Sequence, residues 1–259
     1  MKIEFINVTN TLPLCPLRVF HYMTLGPKPP NAKAFVGTCF HDSMAANFTN
    51  KALTGKDEKL DTLKDIFVQN FNNPDREVVW DDPKSKEEAN GLAVVEHYYT
   101  NFCPMLTPFS EEAVEVALKI DMNGFHIVGH PDLVTVEKKV TDHKSVASKR
   151  SFSKWTPEQA AGKPQSFGYP LAGQSGLFGD KVLFEVDYNV VAPTGEVRQV
   201  NAVKDKDQIG RWLKNVRHLH AMLEAEKPIA NTQGWWCSEK WCGYWFDCEF
   251  GDKQVTYVI

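Results

Sequence analysis

Residues 129–145 read GHPDLVTVEKKVTDHKS, and this stretch decides the fold. Two runs rich in β-branched residues flank the polar Glu137-Lys138 link, which reads as two strands of a hairpin. Asp132 lies near the end of the first run, and Asp142 and Lys144 lie on the second. Side chains alternate along a strand, so Asp142 and Lys144 share one face and His143 takes the other. A hairpin can therefore bring both carboxylates and the amine into one site. Two carboxylates in a small space repel each other and raise one proton affinity unless a cation neutralises them. A hard divalent ion such as Mg²⁺, held by Asp132, Asp142 and a backbone carbonyl, meets that need. Lys144 can then orient or deprotonate a water, or stabilise charge growing on a phosphoryl oxygen. An isolated D-x-K triplet is common by chance, so the rest of the chain must support the reading.

Upstream, the period is helical. Phe40, Met44 and Phe48 repeat at helix spacing within 34–48, with His41 beside the apolar stripe, and 56–72 and 84–100 read as two more helices. From Ala113 the period changes to two: AVEVALKI, FHIVGHPDLVTV and KVTDHK read as strands, with Asp121–Gly124 as a tight hairpin turn. A looser segment follows, with a helical candidate over 158–169. Two strands, KVLFEVDYNVV and EVRQVNAV, then surround the turn APTG. A long amphipathic helix over 206–226 carries Ile209, Trp212, Leu213, Val216, Leu219 and Leu223 on one stripe. This order predicts a mixed central sheet flanked by helices.

Composition narrows the class. The chain has 259 residues, 42% of them hydrophobic, which is ample for one large core and excludes a disulfide-stapled miniature or a disordered chain. No apolar run approaches the roughly 20 residues a membrane helix requires. No signal-peptide core follows MKIEFINVTN, so a cytoplasmic protein is expected and the sequons at Asn7 and Asn47 carry no meaning. A net charge of −4 argues against wholesale coating of nucleic acid but allows a locally positive groove.

Pro131-Asp132 followed by Asp142-His143-Lys144 resembles the core of the PD-(D/E)XK nuclease superfamily. The chain more closely resembles its RecB-like exonuclease branch, which includes phage exonucleases and CRISPR-associated adaptation nucleases. In that branch an upstream helix supplies a His, matched by His41 in GTCFHDS, and a Glu precedes the Asp, for which Glu115 is the best positional candidate. Glu96, Glu111 and Glu112 are alternatives. A Q-x-x-x-Y helix follows, matched by Gln165 and Tyr169. The resemblance implies a restriction-endonuclease-like α/β core and a catalytic set of His41, Glu115, Asp132, Asp142, Lys144, Gln165 and Tyr169. It also implies that His41, Asp132 and Asp142 hold Mg²⁺ or Mn²⁺. The adjacent His41-Asp42 pair raises a second metal-hydrolase motif, but no further His and Asp set accompanies it.

Cys237, Cys242 and Cys248 are separated by four and five residues, and Cys15-Pro16 lies near the opposite terminus. Such thiols suit an iron–sulfur cluster or tetrahedral Zn²⁺. A subset of RecB-like nucleases is similar here, which implies a [4Fe-4S] cluster and a four-cysteine clamp closing the core. The expected organisation is a segment 1–33 supplying one cysteine, a nuclease core 34–226, and a cysteine-rich segment 227–259 packed on it. Lys149, Arg150, Lys154 and Trp155 are candidate DNA contacts, three cations for phosphates and an indole for a base. Together these imply a metal-dependent DNA exonuclease of recombination, repair or phage DNA processing. Its expected partner is DNA, single-stranded or with free ends, with a recombination or integrase protein as a possible second. The competing readings are a non-cleaving DNA- or protein-binding module on the same fold, and a CRISPR adaptation nuclease.

Overall fold

The computed structural model describes residues 2–12, 15–171, 185–234, 236–239 and 241–251. Strand β1 (Phe5–Asn7) leads into helices α1 (Pro16–Leu25), α2 (Ala32–Thr54), α3 (Leu60–Asn72) and α4 (Lys84–Asn101). Strands β2 (Leu118–Asp121), β3 (His126–Gly129), β4 (Leu133–Val134) and β5 (Val140–Ser145) follow. Three short helices come next, α5 (Lys149–Ser153), α6 (Pro157–Ala161) and α7 (Gln165–Gly168). The described chain then forms β6 (Glu185–Val191), β7 (Val197–Val203) and the long α8 (Lys206–Glu224).

The strands form a mixed sheet in two ladders, ordered β1-β3-β2 and β4-β5-β6-β7. β1 runs parallel to β3 and β5 parallel to β6, while the pairs β2-β3, β4-β5 and β6-β7 are antiparallel. The ladders are linked where Glu115 N donates to Asp132 O at 3.0 Å and Val116 N to Pro131 O at 3.0 Å. The predicted β2–β3 turn forms: Met122 N donates to Phe125 O, and Asn123 (φ 60°) with Gly124 (φ 129°) gives the two positive φ angles such a turn requires.

Two apolar layers hold the sheet. On one side α8 buries Ile209, Trp212, Val216, Leu219 and Leu223, against Ile127, Val140 and Val186 among others. Burial of each such side chain is worth about 1.5–3 kcal/mol. Trp212 Nε1 donates to Thr11 Oγ1 at 3.1 Å, which satisfies the indole and ties the turn after β1 to α8. Gly168 allows α7 to lie on this layer, because a Cβ there would meet Val8 Cγ2 at 2.9 Å. The second layer is helical, with Phe40, Met44 and Phe48 of α2 packed on Leu63, Phe67 and Phe71 of α3 and Val95 and Tyr98 of α4.

Several expectations are corrected. α2 runs for 23 residues, starting at an Asn31 cap whose side chain accepts from Ala34 N and ending at left-handed Gly55. The stretch from Ala113 is a strand only from Leu118, because Glu111–Ala113 forms a 3-10 turn and Glu115 has φ 50°. The helix expected over 158–169 is two short ones, separated at Gly162-Lys163-Pro164. The opening of the strand KVLFEVDYNVV, residues 181–184, lies outside the described residues.

The four-cysteine clamp is also corrected. All six cysteines are free thiols. Among the described residues, the His, Cys, Asp and Glu side chains that gather three ligand atoms within 4.8 Å are His41, Glu115 and Asp132, and no cysteine joins such a group. Cys15, Cys237, Cys242 and Cys248 therefore give no basis for an iron–sulfur cluster or for the alternative Zn²⁺. Burial raises the Cys237 thiol, with smaller like-charge contributions from the other three, so they share a region without closing a ligand set. Ordinary contacts tie the chain's two ends together instead. Asn231 N donates to Cys15 Sγ at 3.4 Å, Tyr244 Oη to Gly26 O at 2.6 Å, and Lys28 pairs with Asp247 at 2.8 Å. Spacing along a turn-rich loop set the expectation, and spacing does not fix where sulfurs point.

Candidate active site

Asp132 is the centre of the site. It ends the Pro131-Asp132 turn just before β4 and is buried, with 7% of its surface exposed. One carboxylate oxygen lies 3.2 Å from His41 Nδ1 on α2, and the other accepts the backbone N–H of His143 on β5. Burial works against its charge, but His41, with Lys144 adding to it, holds the carboxyl well below its usual range. His41 responds in kind: burial opposes its charged form, yet Asp132 raises its proton affinity above the ordinary value.

Glu115 completes the group. Its left-handed backbone is unusual for a residue with a Cβ and costs on the order of 1–3 kcal/mol. The two backbone bonds to Pro131 and Asp132 hold that kink, and its carboxylate comes within 4.8 Å of the His41 and Asp132 ligand atoms. The side chain is open to solvent on one side, yet partial desolvation and then the Asp132 charge push its carboxyl up to about 7. The alternative carboxylates lie elsewhere. Glu96 pairs with Lys64 at 2.7 Å, and Glu111 and Glu112 sit exposed on their 3-10 turn. Asp42 accepts from Asn70 Nδ2 at 2.9 Å and stands outside the group.

Asp142 and Lys144 adjoin this group on β5. The Lys144 ammonium contacts the buried Asp142 Oδ2 as a close ion pair. Burial raises the Asp142 carboxyl to about 6, with Lys144 opposing and Asp132 adding to the rise. Burial disfavours the Lys144 ammonium, but Asp142 and then Asp132 raise its pKa overall. Three carboxylates and one imidazole form a donor set that fits a divalent cation.

His143 faces the helical layer, packed against Phe48 and Tyr98. Burial lowers its pKa to about 3, so the ring is neutral. The Tyr98 hydroxyl, kept protonated by burial, donates to Nδ1. Tyr98 accepts in turn from Asn189 Nδ2 at 3.2 Å, and Asn189 from Gln199 Nε2 at 3.1 Å. This buried chain steadies the strand whose backbone holds Asp132. It was missed in the sequence, where Tyr98 shows only as part of a helix.

Tyr169 is buried, and its hydroxyl donates to His130 O at 3.1 Å, under the turn that carries Asp132. Gln165 opens α7, half-buried. Of the expected DNA contacts, Lys149 lies 3.4 Å from Glu196, Arg150 and Lys154 are exposed on and after α5, and Trp155 is half-buried against Tyr188.

A mixed sheet between helical layers, with a His/Glu/Asp group beside a D-x-K strand, defines an α/β core of the restriction-endonuclease type. The sequence pattern of the PD-(D/E)XK nuclease superfamily matches residues 7–249, and the chain belongs to that superfamily. A solved structure that matches it is the crystal structure of a protein named SSO0001, at 13% identity over 96% of this chain and 87% of that one. Its TM-score of 0.41 is too loose a likeness to bear on fold or activity. No curated protein is similar enough to count as a match. Among the described residues no helix is long and apolar enough to cross a membrane.

Proposed function

We propose that the protein is a Mg²⁺- or Mn²⁺-dependent deoxyribonuclease of the RecB-like branch, an exonuclease acting on DNA ends. The observation that carries this reading is the His41–Glu115–Asp132 group within 4.8 Å, flanked by the Asp142–Lys144 pair. His41, Glu115 and Asp132 would hold the cation, with Asp142 alongside. When bound, it supplies Lewis acidity, which acidifies a water and neutralises charge growing on the phosphoryl oxygen.

The chain's own groups do the rest. Asp132, held ionised by His41, keeps a fixed negative charge in the site. Asp142, with its carboxyl raised to about 6, holds Lys144 by charge and can receive a proton near neutrality. Lys144 stays protonated and donates to a phosphate oxygen as its charge grows, an effect worth about 10²–10³ in rate for comparable donors. Tyr169 and the His143 backbone keep Asp132 from turning away. Recognition of the backbone rather than the bases predicts a sequence-tolerant activity.

The test is cleavage of end-labelled linear, circular and single-stranded DNA with Mg²⁺ or Mn²⁺. Loss of mononucleotide release in Asp132→Asn and Lys144→Ala, with folding retained, is the expected result. Undiminished turnover in either variant would remove the proposed site. Binding of DNA with no cleavage under any divalent ion would favour a binding module instead.

A further inference from the structure

The break between α6 and α7 places a cation that the D-x-K pattern does not require. Lys163 lies in the Gly162-Lys163-Pro164 link, with its N–H bonded to Ala160 O at 3.0 Å. Its ammonium stands over the Trp155 ring, 5.1 Å from the centroid. Trp155 is itself fixed: its ring packs on Tyr188 at 5.3 Å, and its carbonyl accepts from Arg198 Nη1 at 2.9 Å. Tyr188 is buried and its hydroxyl is bonded to Ser166 Oγ at 2.8 Å, so the support beneath the indole is rigid.

Among the described residues no carboxylate pairs with Lys163, although it is half-buried. Burial lowers its proton affinity, and the Lys144 charge lowers it further while Asp142 opposes, so it lies within electrostatic reach of the proposed catalytic pair. A partly desolvated cation with no ion-pair partner among the described residues, next to the proposed site for phosphodiesters, is matched by a phosphate. An indole is matched by a base face.

We propose that Lys163 and Trp155 form a shelf for the terminal nucleotide of a DNA strand, the ammonium moving from the ring to the adjacent phosphate while the base takes its place on the indole. The shelf rests on the nuclease reading of the Asp132 site and makes Lys163 a positioning residue for that reaction. Stacking tolerates every base, so the shelf selects an end without selecting a sequence.

Binding of a short fluorescent single strand in metal-free buffer tests this without turnover. Lys163→Gln is expected to weaken binding about 10-fold and to flatten the slope of log affinity against log salt by about 0.7, the value of one phosphate contact on a single strand. Lys163→Arg restores both. Trp155→Ala weakens binding by about 10- to 100-fold with the salt slope kept, and a terminal abasic site weakens wild type but not this variant. Trp155→Phe, which keeps a ring, covers the case in which the alanine variant does not fold, and it should retain most of the affinity. Unchanged affinity and salt slope in folded Lys163→Gln, or absence of binding by wild type, would overturn the shelf. Expected binding losses in a protein that cleaves nothing would leave the shelf standing and remove the nuclease reading. Normal cleavage with an unaltered KM in Lys163→Gln would do the reverse.

Discussion

Adding Mn²⁺ to the purified protein should raise its melting temperature, and the gain should depend on pH in a direction set by Glu115 and His41. A ligand present at 100 times its Kd stabilises by about 2.7 kcal/mol, which for a chain of this size is roughly 5–10 °C. Glu115, with its carboxyl at about 7, must lose a proton to bind a cation. Ionised fractions alone predict roughly 30-fold weaker binding at pH 5.5 than at pH 8, and screening at this solvent-facing carboxylate reduces that to about 10-fold. The proton on His41, held by Asp132, competes in the same direction. The gain in melting temperature should therefore shrink by about 3–5 °C between pH 8 and 5.5. Glu115→Gln should bind more weakly and lose part of that pH dependence, and Asp132→Asn should lose the gain altogether. Scanning calorimetry or dye-monitored melting with and without Mn²⁺ at both pH values measures each quantity. An equal gain at both pH values, or a full gain in Asp132→Asn, would refute the assignment of these residues as the cation's ligands.

Three further outcomes are expected. In the metal-free protein the buried Asp142, with its carboxyl raised to about 6, favours the protonated form on folding; that contribution is complete below about pH 4 and is lost as the pH rises through 6, and because the buried neutral His143 acts in the opposite sense over the same range, it is measured as the pH dependence of the difference in urea midpoint between wild type and Asp142→Asn. Glu115→Asn keeps a residue type that tolerates the left-handed kink and removes a charge near Asp132; urea unfolding should show the metal-free protein about 0.5–1 kcal/mol more stable, while the cleavage assay shows activity lost. Tyr169→Phe removes the bond to His130 O and should destabilise by about 1 kcal/mol, with kcat reduced more than KM because the Asp132 turn loosens.

The hairpin carrying Asp132, Asp142 and Lys144 was legible because strand alternation is a strict period and the Glu137-Lys138 link marks its turn. The α8 stripe and the Asn123-Gly124 turn were legible for the same kind of local reason. Glu115 could be placed only by order along the chain: its left-handed backbone and two cross-links interrupt the period from which a strand is read, so Glu96, Glu111 and Glu112 competed with it. β1 has only three residues, and its parallel partner β3 lies more than a hundred residues away, a pairing no local pattern encodes. Lys163 was passed over because a lysine between glycine and proline resembles a solvated turn until Trp155 appears beneath it. The cysteines misled because sequence distance says little about sulfur geometry on a loop.

His41 comes from α2, Glu115 and Asp132 from the junction between the two ladders, and Asp142 from the interior of the second. The hairpin alone brings Asp132 and Asp142 together, but His41 and Glu115 come from distant segments of the chain and join them only when α2 and the segment before β2 have docked. On the proposed nuclease reading, a ribosome-bound or half-denatured copy has no assembled cutting centre, so completion of the tertiary structure itself acts as the safety catch.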